Sequence, residues 1–123
     1  MKIEREQAAG RNMFTGYGEG YVEVNRARHS SSLVVAADRL VTDWPVNSIE
    51  ALGADHLAAI AELKPEVVLL GTGAKFVFPE PRRLEPLRKA GIGVEVMDTA
   101  AACRTYNILL SEGRNVVAAL IVG

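Results

Sequence analysis

The chain has 123 residues, with 14 Lys and Arg against 15 Asp and Glu, and its formal net charge at pH 7 is −1. This length is typical of one domain, and the balanced charge excludes the strongly basic surface of a dedicated nucleic-acid-binding protein. Hydrophobic residues make up 49% and charged residues 24% of the sequence, as in an ordinary globular protein. We therefore predict a single domain over residues 1–123, in which the polar residues 1–13 are loosely ordered.

The cysteine content, the length of the apolar runs and the N-terminal residues indicate the cellular compartment. Its single cysteine, Cys103, has no partner for an internal disulfide, which favours a reducing compartment. The longest apolar run, residues 116–122, is much shorter than the roughly 20 residues that a membrane-spanning helix needs. The N-terminal residues contain no apolar segment of the kind found in secretory signals. These features predict a cytoplasmic protein without a membrane span.

The first third of the chain has the pattern of short antiparallel strands. Residues 17–25 alternate between apolar and polar side chains, which is typical of a strand with one face in solvent. We predict a turn over residues 26–29 and a second strand, antiparallel to the first, over residues 31–36. Residues 39–42 are a candidate third strand. Together these segments predict an N-terminal antiparallel meander.

The remainder of the chain predicts strands that alternate with helices. Short, mainly apolar segments, which we expect to be strands covered on both faces, lie at residues 66–70, 94–97 and 116–122. Helical spacing and end signals predict helices over residues 54–63, 81–90 and 99–112. This order implies parallel strands joined by right-handed crossovers. The predicted fold class is an α/β three-layer sandwich, with a central mixed, mostly parallel β-sheet flanked by helices and extended by the N-terminal meander.

Two loops are expected to meet at the carboxyl ends of the predicted parallel strands, where α/β proteins commonly bind ligands. Glycines allow backbone N–H groups to approach a ligand closely, and a helix N-terminus favours an anion. The sequence matches neither the dinucleotide fingerprint nor the P-loop. Two interpretations stay open, an anion-binding crevice or a tight strand-to-helix turn. The candidate residues in these loops are Gly71, Thr72, Gly73, Asp98 and Thr99.

The third predicted helix carries the other candidate ligand-binding residues, Arg104 and Asn107, on a stripe beside its apolar face. Cys103 lies on the apolar face itself, which is typical of a buried structural cysteine, and no partner base for a nucleophile stands out. His29 and His56 accompany no cysteine or carboxylate at ligand spacing. The sequence therefore predicts no catalytic set, no metal site and no cofactor.

A second candidate surface follows the glycine loop. Phe76, Val77 and Phe78 precede Pro79 in a predicted loop, where they either pack under the sheet or, if exposed, mark an interface. Residues 75–89 contain five basic and two acidic side chains. This bias is explained either by a solvated helix face or by the steering of an anionic ligand or an acidic partner.

A series of residues distributed over positions 14–122 carries one family resemblance. These residues are Tyr17, Gly18, Trp44, residues 71–73, 97–99, 102–103 and 105–107, and Glu112, Gly113 and Arg114. With them the sequence resembles the Mth938-like family of small, largely uncharacterised bacterial and archaeal proteins, whose eukaryotic relatives include a mitochondrial assembly factor for respiratory complex I. The resemblance implies a three-layer α/β fold and no established catalytic residues. Because the chain lacks a mitochondrial presequence, it resembles a bacterial member.

Two hypotheses about function follow. The first is a non-enzymatic interaction or assembly protein, acting on respiratory or membrane complexes, which binds a protein partner through an exposed apolar patch near residues 76–79 or on the edge strands. The second is a small-molecule binding protein or enzyme that uses the crevice at residues 71–73 and Thr99 for an anionic ligand. A homodimer is an additional expectation, because exposed sheet edges often pair.

Overall fold

Two β-sheets form the framework of the chain in a computed structural model, which describes residues 11–122. Within that range the smaller sheet is an antiparallel meander in the order β1 (Phe14–Gly18), β2 (Tyr21–Val24) and β3 (Ala27–His29). The larger sheet has the spatial order β5-β4-β8-β6-β7, in which β6 is parallel to both neighbours and β4 is antiparallel to β8 and β5. Its strands are β4 (Leu33–Ala36), β5 (Arg39–Val41), β6 (Val67–Gly71), β7 (Gly93–Met97) and β8 (Val116–Leu120).

The helices cover both faces of the larger sheet, which confirms the predicted three-layer α/β fold. They are α1 (Ala54–Ala61), α2 (Glu85–Lys89) and α3 (Thr99–Ser111), with 3-10 turns over Ile49–Ala51 and Pro81–Leu84. Apolar residues of α1 and α2 share one core with the sheet, and those of α3 share the other core with the sheet and the meander. None of the helices within residues 11–122 is long and apolar enough to cross a bilayer.

Alternation along the central strands explains why they read as continuous apolar runs. In β4, Leu33 and Val35 belong to the core under α3, whereas Val34 belongs to the core under α1 and α2. Strands β6 and β8 alternate in the same way, and every residue of both is buried. Successive side chains of a strand point to opposite faces, so a sheet covered on both sides needs apolar residues at every position.

The meander differs from its prediction in the placement of both turns. The strand predicted over residues 17–25 is in fact two strands, β1 and β2, which are joined at Gly20, where φ is +78°. The turn predicted over residues 26–29 is wrong, because the chain reverses at Asn25 and Arg26, with φ of +50° and +72°, and residues 27–29 form β3. Two successive residues with positive φ are the requirement of a tight hairpin turn of type I′.

Two strand environments also differ from the sequence expectation. The strand predicted over residues 31–36 does not pair with the meander, because β4 lies in the larger sheet between β5 and β8. Its side chains are apolar on both faces and so need cover on two sides. The strand predicted as buried over residues 94–97 is the edge strand β7, whose residues are partly or fully exposed. Strands β5 and β7 are the two edge strands of the larger sheet. Pairing of such an edge with a second copy of the chain, as expected for a homodimer, stays a prediction.

Helix α3 holds the meander against the larger sheet. The side-chain amide of Asn107 donates to the carbonyl of Phe14 at 2.7 Å and accepts from its N–H at 3.0 Å, in the manner of a neighbouring strand. The rings of Phe14 and Tyr106 meet edge to face at 5.1 Å, and the Tyr106 hydroxyl donates to the carbonyl of Asn12 at 3.0 Å. Residues 11–13 are therefore tied to the fold, and the rest of the N-terminal segment lies outside the described residues.

An ion pair joins the start of β6 to the start of β8. The Nε of Arg114 lies 3.1 Å from a carboxylate oxygen of Glu66, and the backbone N–H of Asn115 donates to the other oxygen at 3.0 Å. These interactions favour the charged carboxylate, so the Asn115 N–H and the Arg114 guanidinium hold the pKa of Glu66 below its usual value of 4.5.

We expect Glu66→Gln to lower the free energy of unfolding at neutral pH. Because the pKa of Glu66 is lower in the folded chain, its contribution is present above the unfolded pKa and is lost as the pH falls through the folded pKa. The unfolding midpoints of wild type and variant in urea should therefore differ at pH 7 and converge in acid. Glu95→Gln, at another exposed glutamate, is the control. An undiminished difference in acid would contradict the assignment.

Candidate functional site

The two loops predicted to meet at the strand ends do lie against each other. The Thr72 N–H donates to the carbonyl of Met97 at 2.9 Å, which extends the parallel pairing of β6 and β7 by one residue. The Thr99 N–H donates to the carbonyl of Gly73 at 2.9 Å, and the Gly73 N–H donates to the Thr99 hydroxyl at 2.8 Å. Residues 71–73 and 98–99 thus form one hydrogen-bonded junction.

Thr99 fills the centre of this junction. Its hydroxyl, besides accepting from Gly73, donates to the carbonyl of Ile121 at 2.8 Å, and its side chain is buried. A Cβ at Gly71 would lie 2.7 Å from a methyl group of Leu120 and 2.9 Å from the Thr99 hydroxyl. Glycine is therefore required at position 71 by close packing against α3.

Thr72 determines the course of the chain after β6. Its hydroxyl donates to the carbonyl of Lys75 at 2.7 Å and accepts from the N–H of Val77 at 3.0 Å, and the residue is buried. A buried hydroxyl with both roles satisfied is a stable structural element. The loop from residue 72 to residue 77 is consequently folded around one side chain.

Asp98 caps α3. Its carboxylate accepts from the N–H of Ala101 at 2.8 Å, which satisfies one of the unpaired donors at the helix start. This negative charge interacts favourably with the helix dipole and so already fills the place where an anion would bind. With the Gly73 N–H bonded to Thr99 as well, two of the donors proposed for an anion are used within the fold. The anionic-ligand hypothesis stays a prediction.

A small cavity lies beside the junction, between α3 and the turn that joins β1 to β2. Its volume is about 100 Å³, which is below the roughly 300 Å³ of the smallest typical ligand sites. Its lining is mainly apolar and includes Tyr17 and Tyr21, together with the predicted residues Gly73, Asp98 and Thr99. The space at the predicted crevice is therefore smaller than a typical ligand site.

The two polar residues predicted on α3 both contact β1. Asn107 is bonded to the backbone of Phe14, as described above. The exposed guanidinium of Arg104 donates to the hydroxyl of Tyr17 at 2.8 Å and lies 5.6 Å from the centre of its ring. Both residues position the meander. The sequence placed them on the correct helix face but contained no signal for β1 as the neighbour.

The Cys103 thiol is buried and the His56 imidazole has a structural partner. Cys103 is 1% exposed, and burial raises the pKa of its thiol to about 12. The Nδ1 of His56 accepts from the N–H of Gly53 at 2.9 Å and thereby caps α1. Within residues 11–122 no group of three or more His, Cys, Asp or Glu side chains is arranged to hold a metal ion.

Residues 76–78, here called the aromatic segment, project into solvent. Phe76 is 56% exposed, Val77 41% and Phe78 64%. The two phenylalanine rings are 6.1 Å apart, so they form one apolar surface. Of the two sequence alternatives for this segment, burial under the sheet is wrong and exposure is correct.

Sequence reasoning missed a groove on the face of the larger sheet that α1 and α2 cover. It has a volume of about 360 Å³ and lies between α1 and the edge strand β5, and its lining includes the exposed Val41 and the charged Arg39 and Glu62. Trp44 and His56 also line it, with their rings 6.1 Å apart. A groove between a helix and a strand far apart in the sequence leaves no local pattern.

The comparison with known protein families assigns the chain. Residues 14–121 match the family described as "Protein of unknown function (DUF498/DUF598)". The chain belongs to this family. The match includes the described helices and strands, and with them the junction at Thr99 and the aromatic segment.

Two relatives with assigned names align with nearly the whole chain. The "13 kDa major membrane protein" of Francisella tularensis subsp. holarctica is 30% identical over 98% of this chain and 99% of its own length. The "NADH dehydrogenase [ubiquinone] 1 alpha subcomplex assembly factor 3" of Xenopus tropicalis is 32% identical over 98% of this chain and 66% of its own length. The chain spans only about half, 48%, of the corresponding Danio rerio protein.

Two solved structures share the fold. A crystal structure of a Bordetella parapertussis protein has a TM-score of 0.87 and 45% identity, over 93% of this chain and 98% of that one. The solution structure of a Bordetella pertussis protein described as a Mth938-like domain has a TM-score of 0.80 and 37% identity, over 98% of this chain and 91% of that one. The resemblance to the Mth938-like family and to the complex I assembly factors is thereby confirmed.

We expect Gly71→Ala to destabilise the fold by about 1–3 kcal/mol, because a methyl group there would overlap Leu120 and Thr99. The measurement is the urea-unfolding midpoint. Gly93→Ala is the matched control, since a Cβ at this exposed strand position has its nearest neighbour at 3.5 Å. It should change stability by no more than about 0.5 kcal/mol. Equal stability of the two variants would disprove the packing argument.

We expect the Cys103 thiol to react with a disulfide reagent at pH 8 at least about a hundredfold more slowly in the native protein than in urea, because burial restricts access and suppresses the thiolate. Absorbance of the released thiolate measures both rates. Native and unfolded rates within about tenfold of each other would instead identify an accessible cysteine.

Proposed function

We propose that this protein is a non-enzymatic assembly factor that binds components of a respiratory or other membrane protein complex. The observation that carries the proposal is the alignment of 98% of the chain with an NADH dehydrogenase assembly factor. That protein is longer than this chain, which aligns with 66% of its length, and the proposal concerns the shared domain alone. An assembly factor acts by binding, and it needs neither a cofactor nor a catalytic residue.

The junction at the strand ends supports a binding role rather than a catalytic one. In many α/β enzymes this position holds the reacting groups. Here the Thr99 hydroxyl, the Gly73 N–H and the Asp98 carboxylate bond to other groups of the fold. Catalysis by proton transfer or nucleophilic attack requires a base within hydrogen-bonding reach of the reacting group. The polar groups at this end of the sheet have a structural use instead.

The aromatic segment is the surface that we assign to attachment. Removal of large apolar side chains from water by a partner contributes favourably to the free energy of binding. Aromatic residues dominate the binding energy of many interfaces. Phe76 and Phe78 are both more than half exposed and adjoin each other. The anchoring of this loop by the buried Thr72 hydroxyl reduces the entropy that binding must overcome.

The test is affinity purification of the tagged protein from its native cells, with quantification of NADH dehydrogenase subunits by mass spectrometry. We expect the wild type to enrich them and Phe76→Ala/Phe78→Ala to lose about tenfold of that enrichment. Ile108→Ala is the control, because Ile108 is 57% exposed on α3 and lies outside the segment. The proposal fails if the wild type enriches no membrane-complex subunit.

A further inference from the structure

The aromatic segment is flanked by basic side chains, and this combination indicates the kind of surface to which it attaches. We propose that it inserts into the interfacial layer of a membrane containing anionic lipids, while the neighbouring basic side chains contact the lipid phosphates. This inference rests on the proposed function and names the partner of its attachment surface. The protein would then associate with the bilayer that contains its target complex, without a membrane-spanning segment.

The side chains of the segment suit the boundary between water and lipid. Phe76, Val77 and Phe78 form an uninterrupted apolar group, with no charged residue between Lys75 and Glu80. Aromatic and apolar side chains that project from a peripheral protein bury themselves at the level of the lipid headgroups. A fluid bilayer accommodates projecting rings without a complementary pocket, whereas a protein partner must provide one.

Some backbone N–H and C=O groups in and beside the aromatic segment already have hydrogen-bond partners within the protein. Unpaired N–H and C=O groups are costly in lipid. The Thr72 hydroxyl accepts from the N–H of Val77 and donates to the carbonyl of Lys75, so two groups that would face the membrane are already bonded. Pro79 and Pro81 have no N–H to satisfy. This arrangement lowers the cost of bringing the loop out of water.

Basic side chains lie on both sides of the segment. Lys75 precedes it and is exposed, and the side chain of Arg82 is 80% exposed. The guanidinium of Arg88 reaches back along the short helix to the carbonyl of Pro81, at 3.3 Å, which brings a third positive charge to the same end. Glu80 offsets part of this charge, since it lies 3.4 Å from Arg82 and 3.5 Å from Arg83.

The net positive charge of residues 75–89 favours anionic over neutral lipids. Residues 75–89 contain five basic and two acidic side chains, although the whole chain is nearly neutral. Anionic headgroups attract such clusters at the membrane surface, and the attraction decreases within a Debye length and with added salt. Apolar insertion combined with this charge therefore predicts binding to anionic membranes and weak binding to neutral ones.

The experiment is co-sedimentation of the full chain with vesicles of phosphatidylcholine alone or mixed with phosphatidylglycerol. We expect at least about tenfold stronger binding to the mixed vesicles than to phosphatidylcholine alone. Addition of about 0.5 M NaCl should weaken binding to the mixed vesicles. Phe76→Ala/Phe78→Ala should lose most of the binding, whereas Ile108→Ala should keep it. Lys75→Gln/Arg82→Gln should weaken binding to the mixed vesicles alone. Thermal melts of each variant identify any loss that is due to misfolding.

The outcomes separate this inference from the proposed function. Absence of binding to the mixed vesicles, equal binding to both vesicles, or full binding by the double phenylalanine variant each overturns the lipid inference. If the lipid inference is overturned but Phe76→Ala/Phe78→Ala still loses the enrichment of complex subunits, the aromatic segment binds a protein surface and the proposed assembly role stands. If vesicle binding behaves as expected but the wild type enriches no subunit, the lipid inference stands and the proposed function fails.

Discussion

Three adjacent strands, β4, β8 and β6, carry apolar side chains on both faces, and the chain must cover both of them. Helices α1 and α2 cover one face, and α3 shares the other with the meander. Because α3 and the meander lie side by side on that face, the helix also has to hold the meander in place. Asn107 and Tyr106 do this through the backbone and the ring of Phe14. Polar residues that resemble ligand-binding groups are thus required by the layered fold.

The same constraint acts where β6 ends and α3 begins. The helix approaches the strand so closely that position 71 has no room for a side chain, and the Thr99 hydroxyl links the loop after β6 to the residue after β8. Close packing of this kind makes the junction rigid. It also uses the hydrogen-bonding groups that many α/β proteins present to a substrate. The loop that follows the junction carries the exposed aromatic segment farther out on the surface.

That loop connects the rigid junction to the surface features on which the proposals depend. Thr72 is buried beside the junction, and its hydroxyl fixes the backbone at Lys75 and at Val77. The exposed rings of the aromatic segment are therefore supported by the sheet, although they lie in an irregular part of the chain. A supported loop with exposed apolar residues between flanking basic residues can attach to a surface without changing the fold.

Local pattern determined most of the secondary structure. Continuous apolar runs identified β6 and β8 because both faces of these strands are buried, and Asp98 and Gly113 mark the ends of α3 because a cap and a left-handed glycine are local requirements. Only the tertiary structure decided that β4 leaves the meander for the larger sheet, since strand partners are chosen by contacts between distant segments. It also decided the hairpin turn at Asn25 and Arg26, which contains no glycine to mark it. The roles of Thr99, Asn107 and the aromatic segment depend likewise on their neighbours in space, and residue type alone does not reveal those neighbours.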